Sequence, residues 1–255
     1  MGTDVHLVAI GVDERALDRA IDRLAELEAR WSRFRPDSEL SRLNASAGVP
    51  TVVSTDTVRA LVAAIDAWHR TGGRFDPTVG AAVIGNGYDR TFEELVDDDD
   101  DRADARPSAA PGCADVHVDE ATNLVWLPLG TRLDLGGIGK GLAADWLSEQ
   151  LLHDGATAAC VNIGGDVRVA GDEEWVIAVE HPDEGEIDRI TLLDGAVATS
   201  STRRRRWTTR NGTARHHVVD PTTGAPTADG TVTVVAATAT EAEVQATALL
   251  VGGGA

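Results

Sequence analysis

The sequence contains too little of several residue types to build some common classes of protein. Its 255 residues include only two cysteines, which are too few for a disulfide framework or a thiolate metal site. Apolar runs stay shorter than the roughly 18–20 residues that a membrane-spanning helix needs. The first residues show no basic segment followed by an apolar one, so they do not predict a signal peptide. These absences predict a cytoplasmic protein without a membrane span in this chain.

Positive charge is also scarce. The chain carries 42 acidic and 23 basic residues, which gives a formal net charge of −19. Such a surface repels nucleic acid and anionic membranes, so neither is expected as a partner. The preference for arginine over lysine, together with the many acidic residues, is interpreted as halophilic adaptation. Lys140 is the single lysine of the chain, and one cation in so acidic a protein indicates a specific position.

Hydrophobic periodicity predicts both strands and helices along the chain. A strand is predicted in 5–12, and helices are predicted after caps at Asp13, at Ser54 or Thr55, and at Thr240. The elements do not alternate as in a doubly wound fold, so we predict an α+β fold with mixed sheets and packed helices. The length suits a single domain over 1–255 with two interleaved lobes. The acidic segment 89–115 is predicted to be a surface loop or insert.

A glycine cluster, "DLGGIGKG" (134–141), precedes a predicted helix. It lacks the spacing of a Walker A loop, but it has the physical features of a phosphate loop. Its glycines allow the backbone to approach a ligand, and the helix N-terminus offers unpaired N–H groups. Lys140 adds a positive charge, and Asp134 could hold a hydroxyl or amine of the same ligand. A tight turn with a surface lysine is the alternative that the spacing leaves open.

Two aspartate–proline turns are further candidates. In "GRFDPTVG" (73–80), Asp76 is either a ligand-binding residue or the cap of a short helix that begins at Pro77. In "HHVVDPTTG" (216–224), a histidine close to Asp220 can accept or orient a proton. An ordinary turn explains the second stretch equally well.

The last predicted helix carries two oxygen ligands on one face. Glu243 and Thr247 are four residues apart, and Mg²⁺ prefers oxygen ligands of this kind. An ordinary helix surface is the alternative. The basic run "RRRRW" (203–207) would alternate in a strand, where its side chains can pair with carboxylates.

The order of these motifs resembles the ApbE family of FAD:protein FMN transferases. The resemblance covers nearly the whole chain and rests on "WSRFRPDSELSRLNA", "FDPTVG", "LDLGGIGKGLAAD", "HHVVDPTTGAP" and "ATEAEVQATALLVGG". It implies an enzyme that uses Mg²⁺ to transfer the FMN moiety of FAD to a threonine hydroxyl of a target flavoprotein, such as a redox-pump subunit, with release of AMP. A Mg²⁺-dependent FAD pyrophosphatase, or a protein that only binds FAD, would use the same residues. A purely structural acidic domain is the third hypothesis.

The resemblance also assigns roles to individual residues. It implies contacts to the flavin nucleotide at Met1, Phe34, Arg74, Phe75, Asp76, Asp134, Lys140 and the backbone of Val219. It implies magnesium ligands at the carbonyl of Gly137 and at the side chains of Glu243 and Thr247. His217 and Asp220 match the family's His-x-x-Asp block, and we expect His217 to accept or orient a proton. The chain departs from the family where it has Glu243 for an aspartate and Phe34 for a tyrosine.

Overall fold

The computed structural model describes residues 3–96, 108–208 and 213–253, and its centre is a five-stranded sheet. The strands follow the order β1 (Val5–Ile10), β5 (Ala158–Ile163), β6 (Asp166–Gly171), β9 (Gly195–Ser201) and β12 (Thr231–Ala236). All four neighbouring pairs are antiparallel. The predicted α+β class is confirmed, with antiparallel pairing in this sheet rather than the mixed pairing expected. The prediction of one domain with two interleaved lobes stays a prediction.

Three helices pack together beside this sheet: α1 (Glu14–Trp31), α6 (Gly139–His153) and α7 (Ala239–Val251). The predicted cap of α1 is confirmed, because the Asp13 side chain accepts a hydrogen bond from the Ala16 amide. The predicted cap of α7 is wrong by two residues. Thr238, and not Thr240, accepts from the Glu241 amide at 3.2 Å.

A second group of elements extends the core beyond the sheet. It comprises α2 (Glu39–Ala45), α3 (Thr55–Arg70) and a small sheet with the order β2 (Thr51–Val52), β4 (Leu124–Trp126), β3 (His117–Asp119). Ser54 caps α3, as predicted, through the Thr57 amide. The largest buried side chains of the two groups belong to one apolar cluster, which includes Leu27, Leu40, Leu61, Leu127 and Leu147. The sheet and both helical groups therefore form one continuous core.

The remaining elements are short. They are the helices α4 (Gly80–Gly85) and α5 (Phe92–Val96), the hairpin of β7 (Trp175–His181) with β8 (Gly185–Leu192), and the hairpin of β10 (Arg206–Thr208) with β11 (Ala214–His216). Within the described ranges, no helix combines the length and the apolar character that crossing a membrane requires.

The segment 89–115, predicted to be a surface loop, contains one helix where the structure describes it, and 108–115 form neither helix nor strand. Helix α5 occupies part of it, and the acidic run lies in 97–107, outside the described residues. The Ala110 amide donates to Pro221 O at 2.8 Å, and the Gly112 amide donates to Thr78 Oγ1 at 3.0 Å. This part of the segment therefore packs between the two aspartate–proline turns.

Helices α6 and α7 cross in close contact, and the glycine cluster makes that contact possible. A Cβ atom on Gly141 would lie 2.5 Å from the carbonyl oxygen of Ala239. One turn later, the Asp145 carboxylate accepts from the amides of Ala239 at 2.8 Å and Thr240 at 2.9 Å. Because residues four apart share a helix face, Gly141 and Asp145 together fix the start of α7.

Replacing Gly141 by alanine tests this crossing. Since the added methyl group would meet backbone and not a flexible side chain, we expect the free energy of unfolding to fall by about 1–3 kcal/mol. Gly139→Ala is the matched control, because its Cβ would have no neighbour closer than 3.9 Å. Chemical denaturation of both variants measures the effect, and equal stabilities would contradict a tight crossing at Gly141.

Candidate active site

The single lysine lies between two buried carboxylates from distant parts of the chain. Lys140, in the first turn of α6, contacts Asp166 Oδ2 at 2.9 Å and hydrogen-bonds to Glu243 Oε1. The other oxygen of Glu243 accepts from the Gly141 amide at 2.8 Å. The side chain of Lys140 is 23% exposed, whereas those of its two partners are 3% exposed. The lysine therefore holds the carboxylate that the sequence predicts as a metal ligand.

Burial and neighbouring charges shift the pKa values of Lys140 and Glu243. Burial lowers the pKa of Lys140, but the charges of Asp166 and Glu243 outweigh it and raise the pKa overall. Burial is the main reason why the pKa of Glu243 rises above its usual range, while the contact with Lys140 opposes that rise. Two carboxylates share one ammonium group, so the cluster can accept more positive charge.

The three predicted metal ligands lie on facing elements. A Cβ on Gly137 would be 3.6 Å from Thr247 Oγ1 and 3.2 Å from the ring of Phe75. The Thr247 hydroxyl is 3.1 Å from Ser200 Oγ on β9. Thr247 follows Glu243 by one helical turn. Helix α7 and the glycine cluster thus bring Gly137, Thr247 and Glu243 to the same place.

Asp134 is anchored on both sides. Its Oδ1 accepts from the Gly136 amide at 2.7 Å, and its Oδ2 pairs with Arg33 Nε at 2.9 Å. Its own amide donates to Pro77 O at 2.7 Å. Leu133, which precedes Asp134, is held by the side chain of Asn44. This side chain accepts a hydrogen bond from the Leu133 amide at 2.7 Å and donates one to the Leu133 carbonyl at 2.9 Å. The glycine cluster is therefore held rigidly before α6 begins.

Aromatic side chains form a cluster next to Asp134. Phe34 packs edge-on against Tyr88, with the ring centroids 5.4 Å apart. Tyr88 also packs against Trp207 at 5.6 Å and against His217 at 6.4 Å. The aromatic residue predicted for the flavin nucleotide, Phe34, therefore lies in one cluster with the predicted proton acceptor.

His217 is held in its neutral form. Burial is the main cause that lowers its pKa to about 3, followed by the charges of Arg205, Lys140, His216 and Arg33. Its Nδ1 is buried and has no hydrogen-bond partner among the described residues. A neutral imidazole can accept a proton, but so low a pKa makes it a weak base, and the negative charge of a bound phosphate group would raise that pKa. Its neighbour His216 instead bonds to Thr227 O through Nε2 at 3.1 Å.

The carboxylate of Asp220 accepts hydrogen bonds from residues of its own turn. Its Oδ1 accepts from the Thr222 amide at 2.8 Å and the Thr222 hydroxyl at 2.7 Å, and its Oδ2 accepts from the Thr223 hydroxyl at 3.2 Å. Burial raises its pKa, but these hydrogen bonds lower it overall. The contacts are those of a turn-forming aspartate. A role of Asp220 in proton transfer stays a prediction.

The other predicted nucleotide contacts occupy different settings. Asp76 does not cap a helix at Pro77, since α4 begins only at Gly80; its Oδ1 accepts from the Thr78 amide at 2.7 Å. Burial raises the pKa of Asp76. The side chain of Arg74 reaches the C-terminal end of α7. A Cβ atom on Gly252 would be 3.2 Å from Arg74 Nη1. Val219 forms a β-bridge to Pro226. Met1 lies outside the described residues.

Comparison with known proteins identifies the family of this chain. The model of the ApbE family matches residues 1–255. The chain belongs to the ApbE family. It is 33% identical to an FAD:protein FMN transferase of Vibrio cholerae over 92% of this chain and 73% of that protein. A relative with the same name from Treponema pallidum is 32% identical over 93% of this chain and 71% of that protein.

Solved structures of ApbE proteins share the fold. The ApbE protein of Thermotoga maritima superposes with a TM-score of 0.85 at 29% identity, covering 99% of this chain and 84% of that one. The flavin transferase ApbE of Vibrio cholerae gives a TM-score of 0.79 at 30% identity, covering 98% and 84% of the two chains.

Four residues of this ApbE site were not assigned a role in it from the sequence. They are Arg33, Asn44, Asp145 and Asp166. Each of them acts on a partner at least 26 residues away, as in the pairs Lys140–Asp166, Arg33–Asp134, Asn44–Leu133 and Asp145–Ala239. Spacing within one motif gives no signal for such contacts.

The predicted pairing of the basic run with carboxylates is confirmed, but the predicted strand is wrong for 203–205, since β10 begins only at Arg206. Arg203 pairs with Asp183 at 3.0 Å, and Arg206 pairs with Asp229 at 3.1 Å. Arg205 differs from both, because it is half-buried, has a φ of 49° and lowers the pKa of His217.

The depressed pKa of His217 predicts an acid-sensitive fold. The unfolded chain binds a proton at this residue below about pH 6.5, but the folded protein does so only near pH 3. His217 therefore lowers the free energy of unfolding as the pH falls from about 6.5 towards 3. We expect His217→Gln to lose less stability than the wild type over this interval.

Denaturant unfolding of both proteins at several pH values measures this difference. His153→Gln, which replaces a histidine with a side chain that is 91% exposed, controls for the loss of an imidazole as such. Parallel pH profiles for the wild type and His217→Gln would show that His217 titrates alike in the folded and unfolded states.

Proposed function

We propose that this chain is an FAD:protein FMN transferase that joins FMN to a threonine of a target flavoprotein and releases AMP. Its family membership and the names of its relatives support this proposal. The observation that carries it is the convergence of the Lys140–Glu243–Asp166 cluster with Gly137 and Thr247. A site with a cation, spare negative charge and aligned oxygen ligands suits a pyrophosphate bound with a divalent metal ion.

The donor set fits magnesium. Glu243 offers a carboxylate, Thr247 a hydroxyl and Gly137 a backbone carbonyl, so every donor is an oxygen atom. The described residues contain no group of three or more His, Cys, Asp or Glu side chains arranged for a metal ion, which argues against a site of the zinc type. When bound, Mg²⁺ would neutralise charge on the pyrophosphate of FAD.

Proton acceptance, positioning of the pyrophosphate and packing of the ligand ring are assigned to different residues of the chain. The neutral His217 would accept the proton of the acceptor threonine, whose oxygen attacks the FMN-side phosphorus. A bond forms between that oxygen and phosphorus, and the phosphorus–oxygen bond to AMP breaks. The glycine cluster and Lys140 would position the pyrophosphate for this in-line exchange. Phe34, which is half-buried and packs against the buried Tyr88, offers a ring against which a planar ligand can pack.

Incubation of the purified protein with FAD, Mg²⁺ and a threonine-containing acceptor tests the proposal. We expect covalent flavin fluorescence on the acceptor and one AMP released for each flavin attached. The same acceptor with its threonine replaced by alanine should stay unlabelled. Release of free FMN and AMP without labelling would indicate an FAD pyrophosphatase, and absence of FAD binding would indicate a structural domain.

A second experiment tests the metal site. Glu243→Gln keeps the shape of the side chain but removes its charge, so we expect the Mg²⁺ concentration for half-maximal activity to rise at least about tenfold. Glu241→Gln is the matched control, because Glu241 lies on the same helix and bonds to Gln245 at 2.9 Å instead of entering the cluster. An unchanged magnesium titration in Glu243→Gln would remove Glu243 from the site.

A further inference from the structure

Arg33 is the most enclosed guanidinium next to the site. Its side chain is 9% exposed, and its plane lies against two rings, with Cζ 4.1 Å from the centroid of Phe34 and 4.4 Å from that of Tyr88. Its Nε pairs with Asp134 Oδ2 at 2.9 Å, and its Nη1 donates to Tyr88 O at 2.6 Å. Stacking and two directional bonds therefore fix the orientation of the whole group.

The third nitrogen of this group differs from the other two. Arg33 Nη2 is buried and has no hydrogen-bond partner among the described residues. A buried donor of a charged group without a partner is costly, and proteins seldom retain one without a reason. Since the other two nitrogens are fixed, Nη2 cannot turn away to find water. It is therefore a donor held ready for a ligand.

The position of Arg33 indicates which ligand atoms it would meet. Through Asp134 it is bound to the glycine cluster, and through Tyr88 it lies close to His217, whose ring is 6.4 Å from that of Tyr88. It thus lies between the two parts of the site that would hold the reacting phosphate group. The other central cation, Lys140, is already paired with two carboxylates. A phosphate oxygen here needs a further donor, and Arg33 Nη2 is free to supply it.

We propose that Arg33 is a substrate-binding residue whose Nη2 donates a hydrogen bond to a phosphate oxygen of the bound flavin nucleotide. This inference rests on the proposed function, because it takes FAD as the ligand. Arginine suits the task since its planar fork can bind Asp134, the Tyr88 carbonyl and an anion at once, which a lysine cannot do in fixed geometry.

Ligand binding by Arg33→Gln tests the inference without requiring turnover. The dissociation constants of FAD and of riboflavin, which lacks phosphate, are measured by fluorescence titration at one Mg²⁺ concentration. We expect the Kd for FAD to rise about 10- to 100-fold, as for loss of a charge-assisted hydrogen bond, and the Kd for riboflavin to change less than about threefold. Arg35→Gln is the matched control, because Arg35 is exposed and pairs only loosely with Asp37 at 3.4 Å.

The contrary outcomes are distinct. An unchanged Kd for FAD in Arg33→Gln would overturn the inference, and so would an equal loss of FAD and riboflavin binding, which would show that Arg33 acts only by supporting Asp134 and the rings. If the glutamine variant does not fold, Arg33→Lys decides, since it keeps the charge and should weaken FAD binding but not riboflavin binding. A wild type that binds no FAD would contradict the proposed function itself.

Discussion

The contact of one ammonium group with two buried carboxylates holds the site together. Lys140 joins the start of α6 to Asp166 at the start of β6 and to Glu243 on α7, a partner 103 residues further along the chain. Removing one member of a buried ionic cluster commonly costs about 3–5 kcal/mol, because the others are left uncompensated. This requirement fixes the rotation of α7 about its axis, and that rotation also directs Thr247 towards Gly137.

The same turns of α6 set the position of α7 by steric and polar means. Gly141 lets the backbone of α7 approach, and Asp145 binds the first amides of that helix, which would otherwise lack partners. Lys140, Gly141 and Asp145 therefore act on one helix through charge, space and hydrogen bonds. This explains why a glycine directly follows the lysine in the first turn of α6.

The charge of the protein is distributed unevenly, in a way that suits an anionic substrate. The net charge is −19, yet the cations Arg205, Lys140 and Arg33 all act on His217 and lower its pKa. His217 therefore lies at a point of positive potential inside an acidic protein, which favours an anion bound next to it. The same charges weaken His217 as a base in the free protein, and a bound phosphate group would offset them and restore its affinity for a proton.

Local signals in the sequence determined the α+β class, the caps at Asp13 and Ser54, and the family to which the chain belongs. These features depend on neighbouring residues and on motif order, which a sequence displays directly. The cap of α7 was misplaced because Asp145, 95 residues away, binds the Thr240 hydroxyl that would otherwise act as the cap. Only the tertiary structure decided that Lys140 pairs with Asp166, that Arg33 anchors Asp134 and that His217 is half-buried near three cations. These features depend on burial and on contacts between distant residues, and neither can be deduced from the spacing of residues along the chain.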